Sequence, residues 1–165
     1  MAKTNDSLKV AFAGESQANR KYLAFAERAD KEGYQQVARL FRAAAEAETV
    51  HALNHLRALK GVRNTKENLE EAISGEMYEF NTMYPEMIKV ASAEENKVAE
   101  RTFRYANEVE KIHAQLYQMA LESLDSAQED YPYYVCPVCG YTAEREAPEQ
   151  CPVCGAKESL FKKIE

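Results

Sequence analysis

Two stretches of this chain repeat one arrangement of charged side chains. Glu15 is followed 33 residues later by Glu48-Thr49-Val50-His51, and Glu76 is followed 34 residues later by Glu110-Lys111-Ile112-His113. Two of the three histidines in the chain thus stand three residues after a glutamate. At i and i+3 on a helix both side chains leave the same face, within reach of one ion. One Glu from each of two helices, with Glu-x-x-His from each of two others, is the donor set of a metal pair inside a four-helix bundle. Two cations would neutralise carboxylates that are very costly to bury alone. Carboxylate-rich sites with imidazole suit iron or manganese.

The stretch from about residue 5 to 126 can supply those helices. Its only glycines and prolines are Gly14, Gly33, Gly61, Gly75 and Pro85, and apolar residues recur at helical spacing, as in Leu8, Phe12, Leu23 and Ala26. The pattern predicts helix A from about Ser7 to Lys31, stopping near Gly33, and helix B from about Tyr34 to Leu59, with Gly61 as a C-cap after Lys60. Thr65 is expected to cap helix C, running to about Ala91. Ser92 with Glu95 reads as a capping box for helix D, running to about Ser126. Pro85 removes a backbone hydrogen bond and should kink helix C just beyond its glutamates.

The tail holds all four cysteines, as Cys136-Pro137-Val138-Cys139-Gly140 and Cys151-Pro152-Val153-Cys154-Gly155. Two C-x2-C pairs are a strong signal for a tetrahedral metal site. The glycine closing each pair can take the left-handed conformation that turns amides toward sulfur. Zinc ribbons and rubredoxin-type iron sites share this knuckle. Zinc would make the tail a structural staple; iron would make it a one-electron carrier. After a linker over Gln128–Tyr134, the tail is too short to fold unaided, so metal binding should supply its stability. The expected division is residues 1–130 as a helical domain and 131–165 as a four-cysteine domain.

Composition removes other classes. The formal net charge is −6 and the pI about 5.3, which argues against nucleic acid and anionic membranes. No apolar run approaches a membrane span, and the first residues lack an export signal. Cysteines consumed in C-x2-C pairs point to metal ligands in a reducing cytoplasm.

Glu79 breaks the symmetry between the two halves. It lies one turn after Glu76 on the same face, as a seventh donor able to compete with His51 for one metal. A carboxylate favours ferric iron more than imidazole does, so exchange of the two would be a redox-linked switch. Taken singly, a helical glutamate is usually solvated, and Glu100, Glu108 and Glu122 are read so. His55 follows His51 by one turn but has no glutamate at three residues before it, and is read as a packing or supporting residue. Tyr22 lies two turns after Glu15, so its hydroxyl could reach a metal-bound carboxylate.

Together these motifs resemble the rubrerythrins along nearly the whole chain. The resemblance rests on Phe12-Ala13-Gly14-Glu15-Ser16, Glu48-Thr49-Val50-His51, Gly75-Glu76-Met77-Tyr78-Glu79, Met83-Tyr84-Pro85, Glu110-Lys111-Ile112-His113 and both Cys-Pro-Val-Cys-Gly knuckles. It implies an all-α ferritin-like four-helix bundle with two irons held by Glu15, Glu48, His51, Glu76, Glu79, Glu110 and His113. It implies a rubredoxin-like tail with one iron on Cys136, Cys139, Cys151 and Cys154, where zinc can substitute in recombinant material. Tyr22 and Tyr84 would lie beside the di-iron site. The implied activity is peroxidase: hydrogen peroxide is reduced to water, with electrons from an NAD(P)H-linked reductase or a rubredoxin arriving through the tail. The rival readings are a ferroxidase or iron-storage protein of the ferritin class, which leaves the tail unexplained, and a zinc-ribbon adaptor on a helical scaffold.

Loop length bears on assembly. In a ferritin-like bundle helices B and C run parallel, and the arms from His51 and Glu76 to their shared loop total roughly 30 Å at 1.5 Å per residue. The loop reaches roughly 15–20 Å at full extension. It is too short to cross back, which predicts a homodimer in which helices A and B pair with helices C and D of a second chain. The alternative is an up-down-up-down monomeric bundle. A homodimer is expected even without exchange, because the tail could best reach the neighbour's di-iron site.

Overall fold

A computed structural model of the chain describes residues 2–126 and 129–165. Among the described residues, five α-helices precede a small sheet: α1 (Ala2–Lys31), α2 (Gln35–Ala58), α3 (Thr65–Tyr78), α4 (Tyr84–Ala93) and α5 (Lys97–Glu122). The chain divides into two compact units, 1–63 and 64–165. The linker residue Gln128, near the division expected at 130/131, lies outside the described residues.

The first unit is the antiparallel pair α1 and α2. Ala38, Ala45 and Ala52 are buried at seven-residue intervals along α2, and Ala26 and Ala29 are buried on α1. Alanine on a contact stripe lets two helix backbones approach closely. Asn19 holds the pair together, donating to the Ala45 carbonyl (2.7 Å) and to Thr49 Oγ1 (2.9 Å). α1 begins five residues earlier than expected. It ends at Gly33 (φ +87°), where the Tyr34 amide bonds the Ala29 carbonyl and the Gly33 amide bonds the Asp30 carbonyl. This is a Schellman cap, with glycine in the left-handed position.

The end of α2 corrects the role expected of Gly61. The left-handed residue is Lys60 (φ +56°), and Gly61 follows it, donating to the Leu56 carbonyl (2.9 Å). A Cβ at Gly61 would stand 2.4 Å from Leu56 Cδ1, so any larger residue there must displace that side chain. Two caps also differ from expectation. Asn64, not Thr65, caps α3 by accepting the Glu67 amide, and Asn96, not Ser92, caps α5 by accepting the Ala99 amide. Ser92 lies in the last turn of α4, and Glu95 is left-handed (φ +56°) in the turn that follows. α5 stops at Glu122, four residues short of Ser126.

The second unit packs α3 and α4 along α5, with Ala91, Val109 and Ala114 buried. Between α3 and α4 the helix passes through a π-helical turn, Glu79–Met83, in which the Tyr84 amide bonds the Glu79 carbonyl. Pro85, expected to kink the helix, stands directly after this wider turn, in the first turn of α4, and the turn accommodates the hydrogen bond its nitrogen cannot make. The sheet closes the unit. β1 (Tyr133–Val135) is central and pairs antiparallel with β2 (Thr142–Glu144) and β3 (Lys162–Ile164), with Val135 opposite both Thr142 and Lys162. β2 contacts α5. Among the described residues, no helix is long and apolar enough to cross a membrane.

Candidate metal centres

The two cysteine knuckles are built alike. Gly140 (φ +88°) donates to the Cys136 carbonyl, Gly155 (φ +76°) to the Cys151 carbonyl, both at 2.9 Å. The Cys136 amide bonds the Tyr141 carbonyl, and the Cys151 amide bonds the Ala156 carbonyl. Their sulfurs converge: Cys136 Sγ is 3.5 Å from Cys154 Sγ, and Cys139 Sγ is 3.5 Å from Cys151 Sγ. Thiolates at 2.3 Å from a tetrahedral ion stand about 3.8 Å apart, so the four sulfurs fit one ion. The distance is far from a disulfide, and all four cysteines are free. Burial pushes the Cys139 and Cys154 thiols up, against amide hydrogen bonds from Tyr141 and Ala156. Burial also opposes ionisation of Cys151, but the amides of Cys154 and Val153 outweigh it and hold that thiol below its usual range. Amides aimed at sulfur serve a thiolate bound to a cation.

In the second unit, α3 and α5 bring Glu76, Glu110 and His113 together, with one donor atom from each within 4.8 Å of the others. His113 Nδ1 lies 2.7 Å from Glu110 Oε2 and 3.9 Å from Glu76 Oε1. The Glu76 carboxyl is pushed up to about 7 by burial, then by the Glu110 charge and a hydrogen bond to Glu110, with His113 opposing. Two half-buried carboxylates facing each other call for a cation. Glu79 stands outside this trio, yet burial and the Glu110 charge raise its carboxyl as well, so it shares the same field. The outer edge of His113 faces the tail, with Nε2 3.0 Å from Thr142 Oγ1.

In the first unit, α1 and α2 assemble the matching trio of Glu15, Glu48 and His51, again with donor atoms within 4.8 Å. His51 Nδ1 lies 2.8 Å from Glu48 Oε2. The two trios have the same composition and the same Glu-to-His contact. They differ in exposure: the His51 side chain is 55% exposed and that of His113 26%.

Residues 6–121 match the rubrerythrin family model, and residues 134–162 match the model of the rubrerythrin rubredoxin-like domain. The chain belongs to the rubrerythrin family. It is 42% identical to rubrerythrin-2 of Clostridium acetobutylicum, over 97% of this chain and 96% of that relative. It is 36% identical to nigerythrin of Nitratidesulfovibrio vulgaris, over 96% and 85% of the two chains. A solved structure of nigerythrin in its fully reduced, all-ferrous state covers 98% of this chain and 86% of its own, with a TM-score of 0.61 at 35% identity. The helical part of this rubrerythrin-family chain is therefore ferritin-like and its tail rubredoxin-like. Carboxylate–histidine and four-cysteine donor sets in that family indicate iron binding.

Tyr22 packs its ring against Phe25 and Phe41, with centroids 6.3 and 6.2 Å away, and among the described residues its hydroxyl bonds neither Glu15 nor Glu48. Tyr84, which helical spacing supports less well, lies in the field of the second unit's carboxylates. Burial raises its hydroxyl, and so do the charges of Glu79, Glu110 and Glu76. Tyr117 was missed, although it follows Glu110 by seven residues as Tyr22 follows Glu15; partial burial and the charges of Glu76 and Glu110 raise it too. Thr142 gave no signal, because its contact crosses from the tail to α5. His55 belongs to neither trio. Glu122 accepts from Gln118, as expected of a surface glutamate; Glu100 departs from that expectation, since its side chain is only 13% exposed, covered by its ion-pair partners Lys97 and Arg104.

Proposed function

We propose that this chain is a non-haem di-iron peroxidase that reduces hydrogen peroxide to water with electrons delivered through its tail. The observation that carries the reading is the pairing of two equivalent Glu/Glu/His trios, one with the extra carboxylate Glu79, with a four-thiolate ribbon seated on α5 beside His113. Glu15, Glu48, His51, Glu76, Glu79, Glu110 and His113 would hold two irons, and Cys136, Cys139, Cys151 and Cys154 a third. Bound there, a ferrous pair supplies the two electrons that, with two protons, take peroxide to two waters, and the thiolate-held iron returns them singly from an NAD(P)H-linked reductase or a rubredoxin.

The side chains have separable tasks in this reading. Glu15, Glu76, Glu48 and Glu110 neutralise and space the cations. Glu79 and the exposed His51 are the alternative ligands, the first suited to ferric and the second to ferrous iron. Tyr84, in the field of three carboxylates, is placed to supply or relay a proton. The four free thiols suit a reducing cytoplasm.

We also infer a homodimer with helix pairs exchanged. The first unit holds three of the seven donors and the second four, and the connecting segment 59–64 is short. Large apolar residues stay exposed along the helices, among them Val10 (73%), Leu40 (66%) and Val98 (66%), while Val109 and Cys136 are the largest fully buried side chains. Uncovered apolar surface on this scale marks an association face. The exchange means that the trio of one chain's first unit is completed by the second unit of its partner.

Truncation after Tyr131 tests the assignment of the activity. The shortened protein should still oxidise ferrous iron but should lose reductant-linked peroxide turnover. Retention of that turnover would leave the tail without its role and favour iron storage.

A further inference from the structure

We propose that Thr142 is a positioning residue for His113: its hydroxyl accepts the Nε2 proton, selects the tautomer that presents Nδ1 to a metal, and ties this ligand to the first cysteine knuckle. The inference deepens the di-iron reading and rests on it. Thr142 Oγ1 lies 3.0 Å from His113 Nε2 and 3.2 Å from the Gly140 carbonyl. A hydroxyl has one proton, and a carbonyl can only accept. With its proton given to Gly140, the Thr142 oxygen accepts from His113, whose ring also bonds the Gly140 carbonyl, an acceptor only, so Nε2 carries the ring hydrogen. Nδ1 is then the atom facing Glu110 at 2.7 Å, a contact that needs a proton or a cation between the two atoms. A histidine ligand whose far N–H is bonded in this way is held in both orientation and tautomer.

The anchor is firm. Thr142 is fixed opposite Val135 in the sheet, next to Cys136, and the Gly140 knuckle approaches Val109, which is 2% exposed and one residue before Glu110. His51 has no such partner: among the described residues its only hydrogen bond is to Glu48. The clamp therefore accounts for which histidine is free to yield to Glu79. His113 is pinned to the ribbon, and His51 is not.

Chelator competition on the full, iron-loaded chain tests this, with bundle iron counted apart from the tail by the visible absorption of thiolate-bound ferric iron. Thr142→Val, nearly isosteric and favourable in a strand, should lose bundle iron at about 10–100-fold lower chelator concentration, with tail absorption unchanged. Thr142→Ser should restore retention. A second measurement needs no variant. In the full chain loaded with diamagnetic zinc, nitrogen-15 spectra of His113 should show a slowly exchanging proton on Nε2. A proton on Nδ1, or equal iron retention by Thr142→Val and wild type, would overturn the inference while leaving the di-iron reading standing. A wild-type bundle that takes up neither iron nor zinc would overturn both.

Discussion

Glu79 stands one turn beyond Glu76, half-buried and within the field of Glu110, but outside the tight trio that Glu76 forms with Glu110 and His113. That placement suits a ligand engaged in only one redox state. Glu79→Ala should keep metal but lose the ligand exchange, and peroxide turnover should fall at least tenfold. Crystal structures of both redox states with unchanged iron positions, together with full turnover, would contradict the role. Helical spacing supports Tyr84 less well than Tyr22, because an α-helix advances about 100° per residue, which leaves a residue eight positions after Glu76 about 80° off its face. The π-helical turn advances less per residue and brings Tyr84 back toward the carboxylates. If Tyr84 serves proton delivery, Tyr84→Phe should slow peroxide reduction by about a hundredfold with metal content intact, the lower end of what a positioned acid supplies. Equal rapid-kinetic traces for the two proteins would remove it from the site.

At the scale of elements, the helices were legible from the scarcity of Gly and Pro and from the apolar spacing, and the ligand pairs from Glu-x-x-His at i, i+3. Helix ends were less so. Asparagines at 64 and 96 took the capping roles expected of Thr65 and Ser92, because a cap depends on which residue the turn leaves extended at the helix entrance. The π turn could not be foreseen as such. Pro85 announced a disturbance, and the chain met it by widening the helix ahead of the proline. We expect Pro85→Ala to allow a regular α-helix through 79–85 and to rotate Tyr84 away from Glu76. Folded stability should hold while turnover drops. A variant structure that keeps the Tyr84 amide on the Glu79 carbonyl would show that the widening has another cause. The contact from Thr142 to His113 was out of reach of pattern reading, since it spans 29 residues and joins a strand to a helix.

For the whole molecule, the proposed donor set is split between two units, and exchange between two chains is the assembly we infer from the short 59–64 segment. Mixed dimers decide it. Combining Glu48→Ala chains with Glu110→Ala chains should regenerate one intact site per mixed dimer, and so about half of wild-type activity per mixed dimer, whereas without exchange every site stays broken and activity stays near zero. The tail should depend on its ion. Stripping the thiolate-bound metal from the full chain should unfold the three-stranded sheet, read as loss of amide protection in β1 to β3, because so small a segment has little apolar surface to bury. The most direct test of the peroxidase itself is metal analysis of the full chain followed by anaerobic reduction and stepwise addition of peroxide. The account predicts three irons per chain, one peroxide consumed per two electrons, and a tail centre that turns ferric as its electrons are drawn inward. A reduced, iron-loaded protein whose tail absorption does not respond as peroxide is added would contradict it.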